Sequence, residues 1–131
     1  MKISAKGRYA IVFMINLAKN YKNDTYISIN EIAKKENLSY KYLEKVVAIL
    51  SKKDYFYVNK GKEGGYKLKY KPKDYVIGDI LRTSEGTLAP IACVENTLCD
   101  KKINCTAYEF WDGLYKEINN YIDSKTLEDY I

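Results

Sequence analysis

The feature that most constrains this chain is a change of apolar period near residue 55. Before it, apolar residues recur at helical spacing in three segments. After it, they alternate on either side of a glycine-rich turn. Residues 3–21 carry Ala10, Met14, Leu17 and Tyr21, with Ile11, Ile15 and Ala18 beside them, which predicts a helix with a wide apolar face. The stretch Tyr21-Lys22-Asn23-Asp24-Thr25 is polar and reads as a loop. Ser28-Ile29-Asn30-Glu31 has the form of a capping box, so a short helix follows with Ile29, Ile32 and Ala33 inward.

Asn37-Leu38-Ser39 breaks that helix, and Ser39 is a good N-cap for a third. There Leu43, Val46, Val47 and Leu50 fall at i, i+3, i+4 and i+7 and form a stripe suited to burial. The opposite face offers Lys41, Glu44, Lys45 and Ala48 to solvent, with Tyr40 and Tyr42 near its start. Phe56 and Val58 then alternate, Lys60-Gly61-Lys62-Glu63-Gly64-Gly65 makes a turn, and Tyr66, Leu68 and Tyr70 alternate again. This predicts a β-hairpin over residues 55–70. Its glycines allow positive φ and close approach of backbone to a ligand. Their spacing matches neither a P-loop nor a dinucleotide fingerprint.

Helix, capped short helix, break, capped helix and hairpin is the order of a winged helix-turn-helix. In such a unit the third helix enters the major groove and the hairpin lies along the backbone or in the next minor groove. Charge agrees. Residues 1–71 hold 16 Lys and Arg against 6 Asp and Glu, a net of +10, whereas residues 72–131 hold 6 against 11, a net of −5. Lysine outnumbers arginine 20 to 2, a bias expected of an AT-rich genome, but such a bias does not confine the excess to one half. A basic half is suited to polyanions through counterion release. The expected organisation is a DNA-binding domain over residues 1–71, then a cysteine-bearing loop and a dimerisation helix over residues 72–131.

In the second part, Ile77, Ile80 and Leu81 predict a short helix ended by Ser84-Glu85-Gly86. A loop from Thr87 to about Asn104 follows. A longer helix is expected from Thr106 to Ser124, with a stripe of Ala107, Trp111, Leu114, Ile118 and Tyr121/Ile122 that can pack against a second copy. Thr126-Leu127-Glu128-Asp129 starts a last capped turn.

Several function classes are excluded. The chain has no histidine, so His-based general base catalysis, Ser-His-Asp triads and His-ligated zinc are out. No nucleophile–base pair can be assembled from its motifs, so an enzyme is not expected. No apolar run reaches the ~18–20 residues of a bilayer span. The first residues lack a signal-peptide apolar region, and the expected compartment is the cytoplasm. Cys93, Cys99 and Cys105 are spaced C-x5-C-x5-C, and three thiols cannot all pair within one chain. A six-residue step turns a helix by about 600°, so they would not share a helical face, but on an irregular loop they can converge. Thiolates favour zinc or iron–sulfur clusters, and structural zinc needs four protein ligands.

Five blocks, Met1-Lys2-Ile3-Ser4-Ala5-Lys6-Gly7-Arg8-Tyr9-Ala10, Ser39-Tyr40-Lys41-Tyr42-Leu43-Glu44, Gly61-Lys62-Glu63-Gly64-Gly65-Tyr66, Gly78-Asp79-Ile80-Leu81 and Thr126-Leu127-Glu128-Asp129, resemble in order and spacing the Rrf-two superfamily of bacterial regulators, which includes the IscR, NsrR and CymR types. The resemblance covers essentially the whole chain. It implies a mainly α fold with a small β-hairpin wing: a winged helix-turn-helix plus a long C-terminal dimerisation helix. It implies a cytoplasmic homodimer, a repressor, that binds operator DNA. On this resemblance Ser39, Lys41, Tyr42, Glu44 and Lys45 match positions at the DNA-facing end of the recognition helix. Glu44 is the expected base reader, since a carboxylate can accept from cytosine N4. Ser51 and Lys52 are expected at phosphate. Lys60, where the family usually has arginine, and Gly61, Gly64 and Gly65 form the wing. Lysine binds phosphate as a point charge but lacks the fork that suits narrow grooves.

The cysteine spacing is similar to that of the cluster-binding members and is absent from the CymR type. It implies one iron–sulfur cluster per subunit, [2Fe-2S] or [4Fe-4S], on Cys93, Cys99 and Cys105. The fourth ligand departs from the family. A histidine position three residues past the third cysteine is Tyr108 here, and an acidic position on the partner's first helix is Arg8. Glu109, Asp100, a small thiol or solvent are the alternatives. A second implication follows from Glu128-Asp129-Tyr130-Ile131: cysteine synthase binds C-terminal peptides ending in isoleucine, and the CymR type acts with that enzyme. The alternative is therefore a metal-free regulator of sulfur metabolism controlled by cysteine synthase. A small electron-transfer protein is a third reading, for which the basic half would serve no purpose.

Overall fold

A computed structural model describes residues 2–94 and 106–131. Among the described residues, five helices and one hairpin follow in chain order: α1 (Ala5–Lys19), α2 (Ile29–Glu36), α3 (Tyr40–Leu50), β1 (Phe56–Asn59), β2 (Gly65–Leu68), α4 (Ile77–Glu85) and α5 (Tyr108–Asp123). Short 3-10 turns lie at Tyr21–Asn23, Pro72–Asp74, Ala92–Val94 and Leu127–Tyr130. The architecture is the mainly helical winged one expected.

The helix starts are set by short side chains. Ser4, Ser28 and Ser39 each accept a hydrogen bond from a backbone N–H of the first turn that follows. Asn37, at φ +55, ends α2 in the left-handed region that asparagine tolerates. At the far end, Thr126 and Asp129 form a complete capping box.

The core lies where α1, α2, α3 and α4 meet over the base of the hairpin. Phe13, Met14, Leu17, Ile32, Leu43, Leu50 and Ile80 are fully buried in it. All four residues of the α3 stripe are buried. The hairpin is antiparallel, with Phe56 opposite Leu68 and Val58 opposite Tyr66. Its inner face follows the expected alternation only at the base. Phe56 and Leu68 are buried, whereas Val58 is 48% exposed, although Tyr66 opposite it packs on Phe13 of α1.

The C-terminal segment returns to this core. Ile77 N–H donates to Lys125 O and Leu127 N–H to Tyr75 O, and Leu127 itself is fully buried. Tyr75 pins the hairpin base: its hydroxyl accepts from the N–H groups of Lys69 and Tyr70 and donates to Tyr55 O at 2.6 Å. Burial pushes its pKa up to about 12, against the two backbone N–H bonds, which pull it down. Among the described residues no helix is long and apolar enough to cross a membrane.

Candidate nucleic-acid interface

The start of α3 is placed by three contacts. Ser39 Oγ accepts from Tyr42 N–H at 3.3 Å, and Ser39 N–H donates to the hydroxyl of Tyr9 on α1 at 3.2 Å. The rings of Tyr9 and Tyr42 meet edge to face with centroids 4.9 Å apart. With Leu43, Val46, Val47 and Leu50 turned inward, Ser39, Tyr40, Lys41, Glu44 and Lys45 are left exposed together at one end of the helix. Tyr42 is half-buried, so part of its ring serves the packing against Tyr9.

Glu44 does not swing freely. Its carboxylate accepts from the Tyr40 hydroxyl at 3.2 Å, a bond that holds the phenol proton and raises the Tyr40 pKa. β2 flanks the same face. Tyr66 packs edge to face on Phe13 and Phe56, and burial, then the negative charge of Glu44, raises its pKa. The first turn of α3 carries no acidic residue, so its unpaired N–H groups and the lysines present a positive end. A carboxylate held among lysines can accept from a base amine while the lysines meet phosphates.

The wing tip exposes Lys60, Gly61, Lys62 and Glu63, with Gly61 N–H donating to Asn59 Oδ1 at 3.0 Å. The expected close approach at Gly64 and Gly65 is to the chain's own backbone. A Cβ on Gly64 would lie 2.3 Å from Asn59 O, and one on Gly65, which is buried at φ +152, would lie 2.3 Å from Ile27 O. Glycine is therefore needed there to close the turn and to seat β2 beside Ile27. Ser51 and Lys52 are exposed at the other end of α3. Ser51 Oγ donates to Val47 O at 2.8 Å, about 18 Å from Ser39 by the helical rise. They do not join the cluster at the helix start. Tyr9 is the residue that reading the sequence for sites passed over. Its one signal is its place four residues before Phe13 on the inner side of α1.

Of the candidate cluster ligands, Cys93 is half-buried in the Ala92–Val94 turn, which packs beside α5. Cys99 and Cys105, like Asp100, lie outside the described residues. Among the described residues no three His, Cys, Asp or Glu side chains gather closely enough to hold a metal ion. The fit to iron and sulfide rests on donor chemistry: three soft thiolates in a short span, with no imidazole in the chain to compete.

α5 bears the expected stripe, which the described residues bury only in part. Ile122 is buried, while Trp111, Leu114 and Ile118 are half-buried and Phe110 and Tyr121 are 65% and 61% exposed. Its C-terminal end is anchored by Arg82, which donates to both carboxylate oxygens of Asp123 at 2.8 and 2.9 Å and to Asn119 at 2.9 Å.

A family model described as an iron-dependent transcriptional regulator, Rrf2, matches residues 3–131. The HTH-type transcriptional regulator CymR of Bacillus subtilis is 36% identical over 129 residues, covering 98% of this chain and 88% of that protein. A solved structure of CymR, the global cysteine regulator of B. subtilis, superposes with a TM-score of 0.82 at 35% identity, over 98% of this chain and 95% of its own. The structure of T. potens IscR follows at 0.78 and 32%, over 98% and 85%. These relatives are regulators, not enzymes.

Proposed function

Since the chain belongs to the Rrf2 family of transcriptional regulators, we propose that it is a cytoplasmic homodimer that represses genes by reading operator DNA with the start of α3, under the control of an iron–sulfur cluster. The observation that carries the DNA reading is the grouping of Ser39, Lys41, Glu44 and Lys45 at one exposed helix end, beside the wing. Glu44 accepts from a cytosine amine, Lys41 and Lys45 meet flanking phosphates, and Lys60 at the wing tip adds a phosphate contact. Tyr42 lines the same helix end; Gly61, Gly64 and Gly65 shape the wing, and Ser51 touches phosphate. Two recognition helices are held in register by pairing of the α5 stripes, because a dimer reads two half-sites at fixed separation.

Cys93, Cys99 and Cys105 would hold the cluster, which supplies iron–thiolate bonds that respond to oxidants and to iron supply. Their spacing supports this reading. Joined through one cluster, the thiols would tie the segment after α4 to the start of α5, and so would bear on the dimer helix. DNA affinity can change only by the cluster's differential stability in the two arrangements. Anaerobic purification, iron and sulfide analysis and a visible spectrum test it beside Cys99→Ala. Iron and sulfide that vanish in the variant are expected. A colourless protein after reconstitution would refute it.

The likeness to CymR favours a second reading, a metal-free regulator controlled by a partner such as cysteine synthase. Tyr130 and Ile131 are 42% and 52% exposed and would supply the docking residues. Deleting both should then abolish complex formation with cysteine synthase; intact binding would remove this reading.

A further inference from the structure

One carboxylate ties the first turn of α1 to the last residue of α4. The Glu85 side chain accepts from Ser4 N–H at 3.0 Å, from Gly7 N–H at 2.8 Å and from the Ser4 hydroxyl. The first turn of α1 has no acidic residue of its own. The helix start nevertheless leaves N–H groups unpaired and carries a partial positive charge. Glu85 satisfies both needs from 78–81 residues away. Gly7 makes room for it: a Cβ there would lie 2.5 Å from Glu85 Oε1 and 2.8 Å from the Ile3 side chain.

What lies on either side gives this tie a direction. Immediately after Glu85, Gly86 ends α4 at φ +84, and the segment bearing the three cysteines follows. Two residues after Gly7 comes Tyr9, whose hydroxyl accepts from Ser39 N–H and whose ring abuts Tyr42. Two contacts, joined by the first turn of α1, thus lead from the end of α4 to the start of α3.

We propose that Glu85 is a positioning residue for DNA recognition: it fixes the first turn of α1, and thereby Tyr9 and the start of α3. The inference rests on the reading of α3 as the DNA-reading helix. It adds a route by which a change beyond Gly86 reaches that helix without repacking the core.

The test uses the full chain. A duplex is selected from a random-sequence pool with the wild-type protein, and affinity is measured for it and for an unrelated duplex at the same salt. Glu85→Ala should weaken binding to the selected duplex roughly tenfold or more. The unrelated duplex, held through phosphates alone, should change by no more than about twofold. Glu85→Gln keeps a carbonyl acceptor and should recover most of the selectivity. Tyr9→Phe removes the hydroxyl but keeps the ring contact, and should cost selectivity to a similar degree. Combined with Glu85→Ala it should cost little more, because both act on one route.

Unchanged selectivity in Glu85→Ala, a parallel loss on both duplexes, or losses that multiply in the double variant would overturn the proposal. If Glu85→Ala does not fold by circular dichroism, Glu85→Asp, whose shorter side chain draws the carboxylate back from Ser4 and Gly7, paired with Tyr9→Phe carries the same cycle with the same expected and contrary results. Failure of the wild-type protein to enrich any duplex would remove the DNA-binding reading itself. An enriched duplex with insensitive variants would remove the positioning role alone.

Discussion

The hairpin base and α5 treat their aromatic side chains in opposite ways. At the hairpin base, Phe13, Phe56 and Tyr66 meet edge to face with centroids 5.5–5.7 Å apart, and Phe13 is wholly buried. On α5, Phe110 and Trp111 meet each other at 5.0 Å, and Phe110 stays 65% exposed. Beside the hairpin base α3 carries an apolar stripe at helical spacing, as α5 does. One is consumed by contacts within the chain, and the other is only begun by Ile122. The same periodicity thus specifies two different things: a core where four helices converge, and, we propose, an interface where one helix stands out. Polar residues mark the difference. Tyr75 has all its bonds met inside the fold, whereas charged residues border the α5 stripe, with Asp112 paired to Lys116 at 2.8 Å on the same helix.

This contrast can be broken from either side. The largest effect is expected for Leu43→Ala in the closed region, a loss of about 2–5 kcal/mol, seen as a lower midpoint in urea. Ile118→Asp in the open region should shift sedimentation at micromolar concentration from dimer to monomer while leaving the far-ultraviolet spectrum unchanged. A monomeric wild type would sink the interface reading. Tyr75→Phe should lose about 1–3 kcal/mol, since two N–H groups and a carbonyl lose their partner.

The same residue sets a sign in alkali. Its folded pKa of about 12 lies above the ordinary value of 10.0. Its contribution is therefore whole below pH 10 and is lost as pH rises through about 12. The difference in stability between wild type and Tyr75→Phe should shrink over that window. A smaller loss, about 1 kcal/mol, is expected for Ser39→Ala, read as faster amide exchange in the first turn of α3. The smallest belongs to Asp54. Its carboxylate is held below the usual range by Lys69 and then Tyr70, but it lies in solvent contact at the surface. Asp54→Asn should barely move the melting temperature, although a titration of the wild-type carboxylate should show the depressed value.

Local pattern made much of this molecule legible. The α3 stripe, the Ser28, Ser39 and Thr126 caps and the hairpin all follow from spacing and short polar side chains. The exposed residues at the start of α3 follow as the remainder once the stripe is assigned. What stayed hidden joins residues far apart in the chain. Tyr9 meets Ser39 across 30 positions, and Glu85 meets Gly7 across 78. Periodicity carries no record of such pairs, because each partner alone looks like an ordinary helix residue. The surroundings of the wing glycines stayed hidden for a related reason. Their freedom is spent against Asn59 and Ile27, which only the closed hairpin brings near. Val58 differs because alternation marks a face, but not how much of it is covered.

The contact that seats Gly65 against Ile27 also decides how crowded solutions of this protein behave. Ile27 and Tyr66 exchange both backbone hydrogen bonds, at 3.0 and 2.9 Å. β2 is thereby paired at Tyr66 on its outer side, and the four residues of β1 form the other edge of the ribbon. An edge that short, with a lysine just beyond it at Lys60, is a poor template for a strand from another molecule. A protein that must hold a hairpin out in the open can thus do so without seeding fibrils.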